Sequence, residues 1–400
     1  MSGTDTAAHG GAPLEGVRVL DLTRLLPGPV CTMHLADLGA DVVKVEDTGP
    51  GDYARTLGAK PGATSAFFRM VNRNKRSIAL DLKSAGGRDA FLALAARADV
   101  VVESFRPGVV DALGVGYDAV RPVREAVVYA SITGYGQTGP RAAFAGHDIN
   151  YLGRAGVLDQ TGTRGGPPAL SNLQVADLLG GALTAAVAIL AALAGAARTG
   201  RGRYIDVAMA DASLAHNIFA LHALEQDGAT APRGEDLLTG GVPCYGVYPT
   251  KDGRWLAVGA LEAKFWRTLC ATLGRDDLVA GGLATGERGE RVRRELEAVF
   301  ATRTLAQWTD VFDGVDACVT PVATLGEALD DPQFLARGMV VRERSGARAF
   351  APPWTMSGSG VRAVRPAPAQ GEHTREILRE AGYDDPAVDR LAADGSVRGA

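Results

Sequence analysis

The stretch VRVLDLTRLLPGPVCTMHLADLGADVVKVE, Val17 to Glu46, decides the fold. It opens with VRVLDL (Val17–Leu22), a short apolar run with the character of a strand. A helical segment through VCTMHLADLG follows, and ADVVKVE (Ala40–Glu46) is a second strand. The same alternation continues outward. RSIALDL (Arg76–Leu82) is followed by the helical AGGRDAFLALAARA, then by the strands DVVVESF (Asp99–Phe105) and AVVYASIT (Ala126–Thr133). Nearly continuous β-branched runs alternating with helices describe strands buried on both faces of a parallel sheet. The expected fold is therefore α/β, with a large doubly wound parallel sheet.

Such sheets bind ligands beyond the C-terminal ends of their strands. After the first strand stands TRLLPGPV and not GxGxxG. Glu46 ends the second strand, where a dinucleotide fold often keeps its ribose-binding acid, but without the glycine turn that reading is weak. Cations gather at other strand ends instead: NRNKR, with Asn72, Asn74, Lys75 and Arg76, then Lys83, and Arg106 in FRPG. Together they suit a phosphate-rich ligand. Taken singly, each is an ordinary solvated surface charge.

Four hundred residues exceed one ordinary core, so two domains are expected. The partition reads as a flexible tail over 1–12, a large α/β domain over 13–205, and a linker over 206–238. A smaller α+β domain follows over 239–325, and a return segment over 326–400 completes the large domain. In the smaller domain, VPCYGVYPTKDGRWLAVGAL is a hairpin around Lys251-Asp252-Gly253, with helix from Ala263 and again from Arg288 to Phe312. The net charge of −4 gives no reason to expect nucleic acid or an acidic membrane as partner. Four cysteines without CxxC spacing read as reduced thiols of a cytoplasmic protein. The first dozen residues have no apolar core of a signal peptide. Leu178 to Ala197 holds no charge across 20 residues, long enough for a bilayer. Nine of those residues are Ala and three Gly, which suits a helix gripped closely on every side, so a buried core helix is expected.

Three acid/base candidates stand apart. His147 lies in FAGHDINYL beside Asp148, Asp177 precedes the long apolar helix, and Glu262 sits between a strand and a helix. Each has a structural alternative. Asp177 suits an N-cap, Glu262 complements a helix dipole, and His147 packs. No metal is expected: HExxH is absent, and His216 and His222, six apart, share no helical face. No GxSxG elbow occurs either.

PLEGVRVLDLTRLLPGPVCTMHLADLGADVVKVE, NRNKRSIALDLK, VVVESFRPGVVDALGVGYD, SITGYGQTGP, AGHDINYL and GGVPCYGVYPTKDGRWLAVGALEAKFW occur in this order. Together they resemble the family III CoA transferases, the carnitine and bile-acid inducible CoA transferase family, which also holds the α-methylacyl-CoA racemases. The likeness runs from about Pro13 to beyond Val322. It implies a homodimer of two interlocked rings, with the CoA nucleotide on the α/β domain and its phosphates near Arg106 and the NRNK segment. A coenzyme A thioester is then the substrate, and no prosthetic group is implied. Transferases of the family use the aspartate aligned with Asp177 as a nucleophile, through an acyl anhydride and a CoA thioester. Racemases keep that aspartate as an acid/base and add a histidine and a glutamate, which match His147 and Glu262.

The resemblance is closest to the racemase branch, since all three residues are present, although YGVYPT after Cys244 looks more like a transferase. Inversion beside a thioester needs one acid/base group on each face of the α-carbon. His147, charged and oriented by Glu262, serves one face and Asp177 the other. A raised pKa from partial burial is expected of Asp177. Backbone N–H groups around Asp148 are the candidate donors to the enolate oxygen. The alternative is a family III CoA transferase that moves CoA between carboxylic acids.

Overall fold

The computed structural model describes residues 11–58, 64–342, 346–357 and 365–399. Most of the tail expected over 1–12 lies outside them. The chain divides into two compact units. The larger holds Met1–Ala155, Leu173–His216 and Met339–Ala400, and the smaller Gly156–Asn172 and Asn217–Gly338. The excursion Gly156–Asn172 thus goes with the smaller unit, a division that no composition change in the sequence marks.

In the larger unit seven strands form one sheet. They are β1 (Arg18–Asp21), β2 (Asp41–Glu46), β3 (Arg76–Leu80), β4 (Val100–Glu103), β5 (Val128–Thr133) and β6 (Arg203–Ala208), with the short Val397–Arg398 on the far edge. The spatial order is Val397–Arg398, β3, β2, β1, β4, β5, β6. Every pairing among β1 to β6 is parallel, and the edge strand pairs antiparallel with β3. Leu20 in β1 faces Val43 on one side and Val101 on the other, and all three are excluded from water. Alternating runs have become a central sheet buried on both faces, as the pattern predicts.

The strand order reverses between β1 and β4, so the loops that follow these two strands diverge and leave a crevice. Helix α1 (Pro27–Asp37) rises from that crevice. Pro27 opens it at a position where a missing N–H costs nothing. Gly28 is required there, since a Cβ would stand 2.2 Å from the Thr23 Cβ. Leu25, just before the helix, holds a left-handed φ of 64°, an uncommon conformation for a side chain of that size. Its N–H donates to Asp52 Oδ1 at 3.1 Å.

The long apolar segment departs from expectation. Ala176–Leu183 is π-helical and Thr184–Thr199 is α-helical, named α4 below. Only one side is buried, through Ala185, Ala186, Ile189, Ala192 and Ala196, while Leu183 and Val187 are exposed. A helix gripped on every side is not what this chain builds by itself. The region after the segment also holds a strand that the sequence reading did not assign, β6. Its outer residues are polar and exposed, so it carries no apolar run.

In the smaller unit β7 (Tyr245–Pro249), β8 (Trp255–Gly259) and β9 (Val319–Pro321) form an antiparallel sheet over a core of Tyr248, Trp266, Phe300 and Trp308. The β7–β8 hairpin turns at Gly253, where φ is 72°. The helix expected from Arg288 to Phe312 is two helices, Gly286–Phe300 and Leu305–Phe312. Thr304 starts the second with a capping box to Gln307.

Candidate active site

A cavity of about 300 Å³ opens in the larger unit at the crevice between β1 and β4. Arg24 to Pro27 form one wall and Ser104 to Pro107 a second, and Ala145 to His147, Tyr151 and Asp177 line it from the other side. His147 and Asp177 therefore share one cavity although 30 positions separate them in the chain.

Local chemistry fixes the backbone at both residues. His147 is the N-cap of helix α3 (Asp148–Arg154), and its N–H donates to Asn150 Oδ1 at 3.0 Å. The Tyr151 hydroxyl donates to the Gly146 carbonyl at 2.6 Å, folding the ring back over the approach to the helix. Gly146 is needed for this, because a Cβ there would stand 2.7 Å from the ring. Asp177 lies in the first turn of the π-helical segment, and its N–H donates to Asp148 Oδ1 at 3.1 Å. Burial, and then the charge of Asp148, push the Asp177 carboxyl up to about 6, against a smaller opposing effect of His147. An acid poised there can both accept and deliver protons near neutrality.

The cations expected to hold phosphates divide into two groups. Lys75 is fully buried, and its ammonium donates to Asp21 Oδ2, the Pro29 carbonyl and Asn72 Oδ1, each at 2.9 Å. Three protons meet three acceptors, so none is left for a phosphate. Asn72 also donates to the Phe68 carbonyl, and Asn74 bonds Asp37 and the Arg365 N–H. Arg76 is held by Asp41, Glu376 and Glu380. These four residues brace the interior in this arrangement, where the sequence pattern led to the expectation that they face the ligand. Lys83 and Arg106 differ: both are exposed, and neither side chain has a polar partner among the described residues. Arg106 lines the cavity.

Glu262 is exposed at the N-cap of Ala263–Leu273, helix α7 in the smaller unit. His147, Asp148 and Asp177 belong to the larger unit, so the larger unit by itself assembles three of the four expected site residues. Among the described residues no cluster of His, Cys, Asp and Glu could hold a metal ion.

Two features at the cavity escaped the sequence reading. Arg24 lies between the rings of Tyr53 and Phe105, at 5.2 and 5.3 Å from their centroids. Glu103, at the end of β4, is buried and accepts from the Phe105 N–H at 2.7 Å, which shapes the Ser104–Pro107 wall. Burial pushes its carboxyl up to about 7. Its place at a strand end was the one available signal.

Residues 14–374 match the family model described as CoA-transferase family III. The chain belongs to this family. It is 36% identical to α-methylacyl-CoA racemase of Homo sapiens over 95% of this chain and 96% of that protein. To succinyl-CoA:glutarate CoA-transferase of Mus musculus it is 35% identical, over 96% and 90%. The fold is similar to the crystal structure of a CAIB/BAIF family protein from Brucella suis, with a TM-score of 0.81 and 30% identity across 92% of this chain and 99% of that one. A family III enzyme is thus established, and its members include both racemases and CoA transferases.

Proposed function

We propose that this family III enzyme epimerises 2-methylacyl-CoA thioesters. The observation that carries the reading is the shared cavity of His147 and Asp177, with the Asp177 carboxyl poised at about 6. In one direction the His147 imidazole takes the α-proton, and the C–H electron pair passes into the enolate. Asp177 then gives its proton to the opposite face of the α-carbon, leaving imidazolium and carboxylate. The reverse sequence handles the other hand. Glu262 supplies the countercharge to the imidazolium. Backbone N–H groups around Asp148 donate to the enolate oxygen. Arg106 and Lys83 are the cations assigned to the CoA phosphates. The proposal includes no prosthetic group, and the four free thiols suit a cytosolic location.

An interlocked homodimer is part of the reading. Helix α6 (Ile218–Asp227) has no buried residue, and Ile218, Phe219, Leu221 and Leu224 lie open on it. In the larger unit Leu183 and Val187 are exposed as well, and such uncovered apolar side chains support a second copy as their cover.

The alternative is a CoA transferase in which Asp177 attacks the thioester. The similarity to succinyl-CoA:glutarate CoA-transferase favours it nearly as strongly as the racemase similarity favours the first reading. Incubation with (R)- and (S)-2-methylacyl-CoA in D₂O separates the two. A racemase washes deuterium into the α-position of both without any acceptor acid. No exchange, together with CoA transfer to an added carboxylate through an Asp177 adduct, would establish the transferase.

A further inference from the structure

We infer that the Asp148 side chain is a positioning residue that acts through Asp177: it holds the Asp177 N–H where the helix widens and sets a like charge beside the carboxyl. This rests on Asp177 being the reacting acid, as proposed above. An acidic residue in the first turn of a helix ordinarily complements that helix's own free N–H groups. Asp148 instead reaches across to a residue 29 positions away and accepts the N–H of Asp177 at 3.1 Å. The two helices that carry His147 and Asp177 are thereby tied at one point.

What Asp148 anchors is a wide turn with little room to move. Pressed between Pro27 of α1 and Met209 of helix α5 (Met209–Ala215), the π-helical turn survives because Gly180 and Gly181 carry no side chain. A Cβ would stand 2.9 Å from the Met209 carbonyl at Gly180 and 2.8 Å from Pro27 Cβ at Gly181. One turn on, the Thr184 hydroxyl donates to the Leu179 carbonyl at 2.8 Å, five positions back. π-helical turns concentrate at functional sites. Here the turn aims one carboxyl into the cavity, and a shift of its backbone would carry that carboxyl with it.

The charges that act on Asp177 are few. Asp148 on α3 and His147 at its N-cap are the two that move its titration, and Tyr151 of α3 in turn feels Asp177. The elements packed on the other sides carry Cys31, His34 and Asp37 on α1, Arg198 on α4, Asp211 on α5, and Arg203, Tyr204 and Asp206 on β6. None of these shifts the Asp177 carboxyl. Burial is the larger cause of the raised Asp177 titration, and Asp148 is the one acidic group that adds to it.

Two substitutions take the roles apart. Asp148→Asn keeps an oxygen acceptor for the N–H and removes the charge, and Asp148→Ala removes both. The full-length enzyme, labelled with [4-¹³C]aspartate, is titrated by NMR, with the Asp177 signal assigned by its loss in Asp177→Asn. We expect the Asp177 midpoint to fall by about one pH unit in the Asn variant, and the low-pH limb of α-deuterium wash-in to move with it. The Ala variant should show the same shift and, in addition, a loss of maximal exchange of about tenfold from the loosened turn. Where the amide variant does not fold, Asp148→Ser keeps an acceptor without charge and gives the same reading. An unmoved Asp177 midpoint in the charge-removing variant overturns the inference, whatever the activity. If the midpoint moves but no variant, nor the wild type, exchanges deuterium, the inference stands and the racemase reading falls.

Discussion

The ammonium of Lys75 lies 2.9 Å from the carboxylate of Asp21, and both side chains are wholly excluded from solvent. Asp21 sits at the end of β1, and its oxygens also accept from the Thr23 and Thr32 hydroxyls, so the pair ties the root of the ligand crevice to the NRNK segment. Burial works against the Asp21 charge, but Lys75 and Lys44 outweigh it and hold the carboxyl at about 2. A family segment that looks like a phosphate cradle is a fastening from within.

Breaking that pair should unfold the protein before it affects the ligand. Asp21→Asn leaves a buried ammonium without its countercharge, a loss of about 3–5 kcal/mol, visible as a lower urea midpoint. The Asp21 pKa is depressed, so its stabilising contribution is present above the unfolded value near 3.9 and is lost as pH falls toward 2. The acid limb of stability should therefore lie between about pH 4 and 2 in the wild type, and flatten in Asp21→Asn. An unchanged limb would remove Asp21 as its origin.

Arg106→Ala should weaken CoA binding more than tenfold, since a charge-assisted hydrogen bond is worth about 1.5–3 kcal/mol. Added salt should weaken the wild type and leave the variant less sensitive. Calorimetry with free CoA reads both effects. Lys75→Met should instead lower the unfolding midpoint, and in its folded fraction bind CoA with near wild-type affinity. Equal affinity of Arg106→Ala and wild type would place the nucleotide elsewhere.

Asp177→Asn should be more stable than the wild type at pH 8 and no more stable at pH 4. The Asp177 pKa is raised, so its contribution to stability is fully present below the unfolded value and is lost as pH rises through about 6. With the side chain partly exposed, solvent screening reduces the gain to on the order of 1 kcal/mol. Matched thermal melts at the two pH values decide it. A loss of stability at pH 8 would mean that the carboxylate is structurally favoured there, against the acid/base assignment.

Glu103→Gln should show the same sign more strongly, because this carboxyl is buried and is pushed up to about 7. Its stabilising contribution is present below the unfolded value and is gone once pH has passed through 7, so wild-type stability should decline between about pH 4.5 and 7 and level off above. The amide keeps an acceptor for the Phe105 N–H and should recover about 2–3 kcal/mol at pH 8.5. A variant that declines with pH as steeply as the wild type would exclude Glu103 as the titrating group.

Phe219→Asp and Leu221→Asp should break the proposed homodimer. Sedimentation of the wild type at nanomolar concentration should show a dimer that dissociates only on unfolding, and the variants should lose soluble folded protein. A wild type that sediments as a folded monomer would leave the apolar face of Ile218–Asp227 needing another cover.

Much of the candidate site was legible because its residues sit in local motifs. His147 and Asp148 precede a short helix, Asp177 opens an apolar one, and Arg106 follows a strand, each a position that local sequence marks. The internal partners of Arg76 were not legible, because Glu376 and Glu380 lie some 300 positions away and no local window contains both ends of such a pair. Glu103 went unread for a related reason: a carboxylate between a valine run and a phenylalanine takes its character from burial.

By itself the sequence determined the alternation of strands and helices, since hydrophobic periodicity is imposed by burial on both faces of a parallel sheet and survives as a pattern in one dimension. It also offered His147, Asp177 and Glu262 as acid/base candidates. The tertiary structure alone decided which cations remain available to a ligand, because a lysine is a ligand or a brace according to the acceptors around it. It decided too that Asp177 is held near neutrality. A pKa is set by solvent exclusion and neighbouring charge, and both arise only when Asp148 and Asp177 meet across the fold.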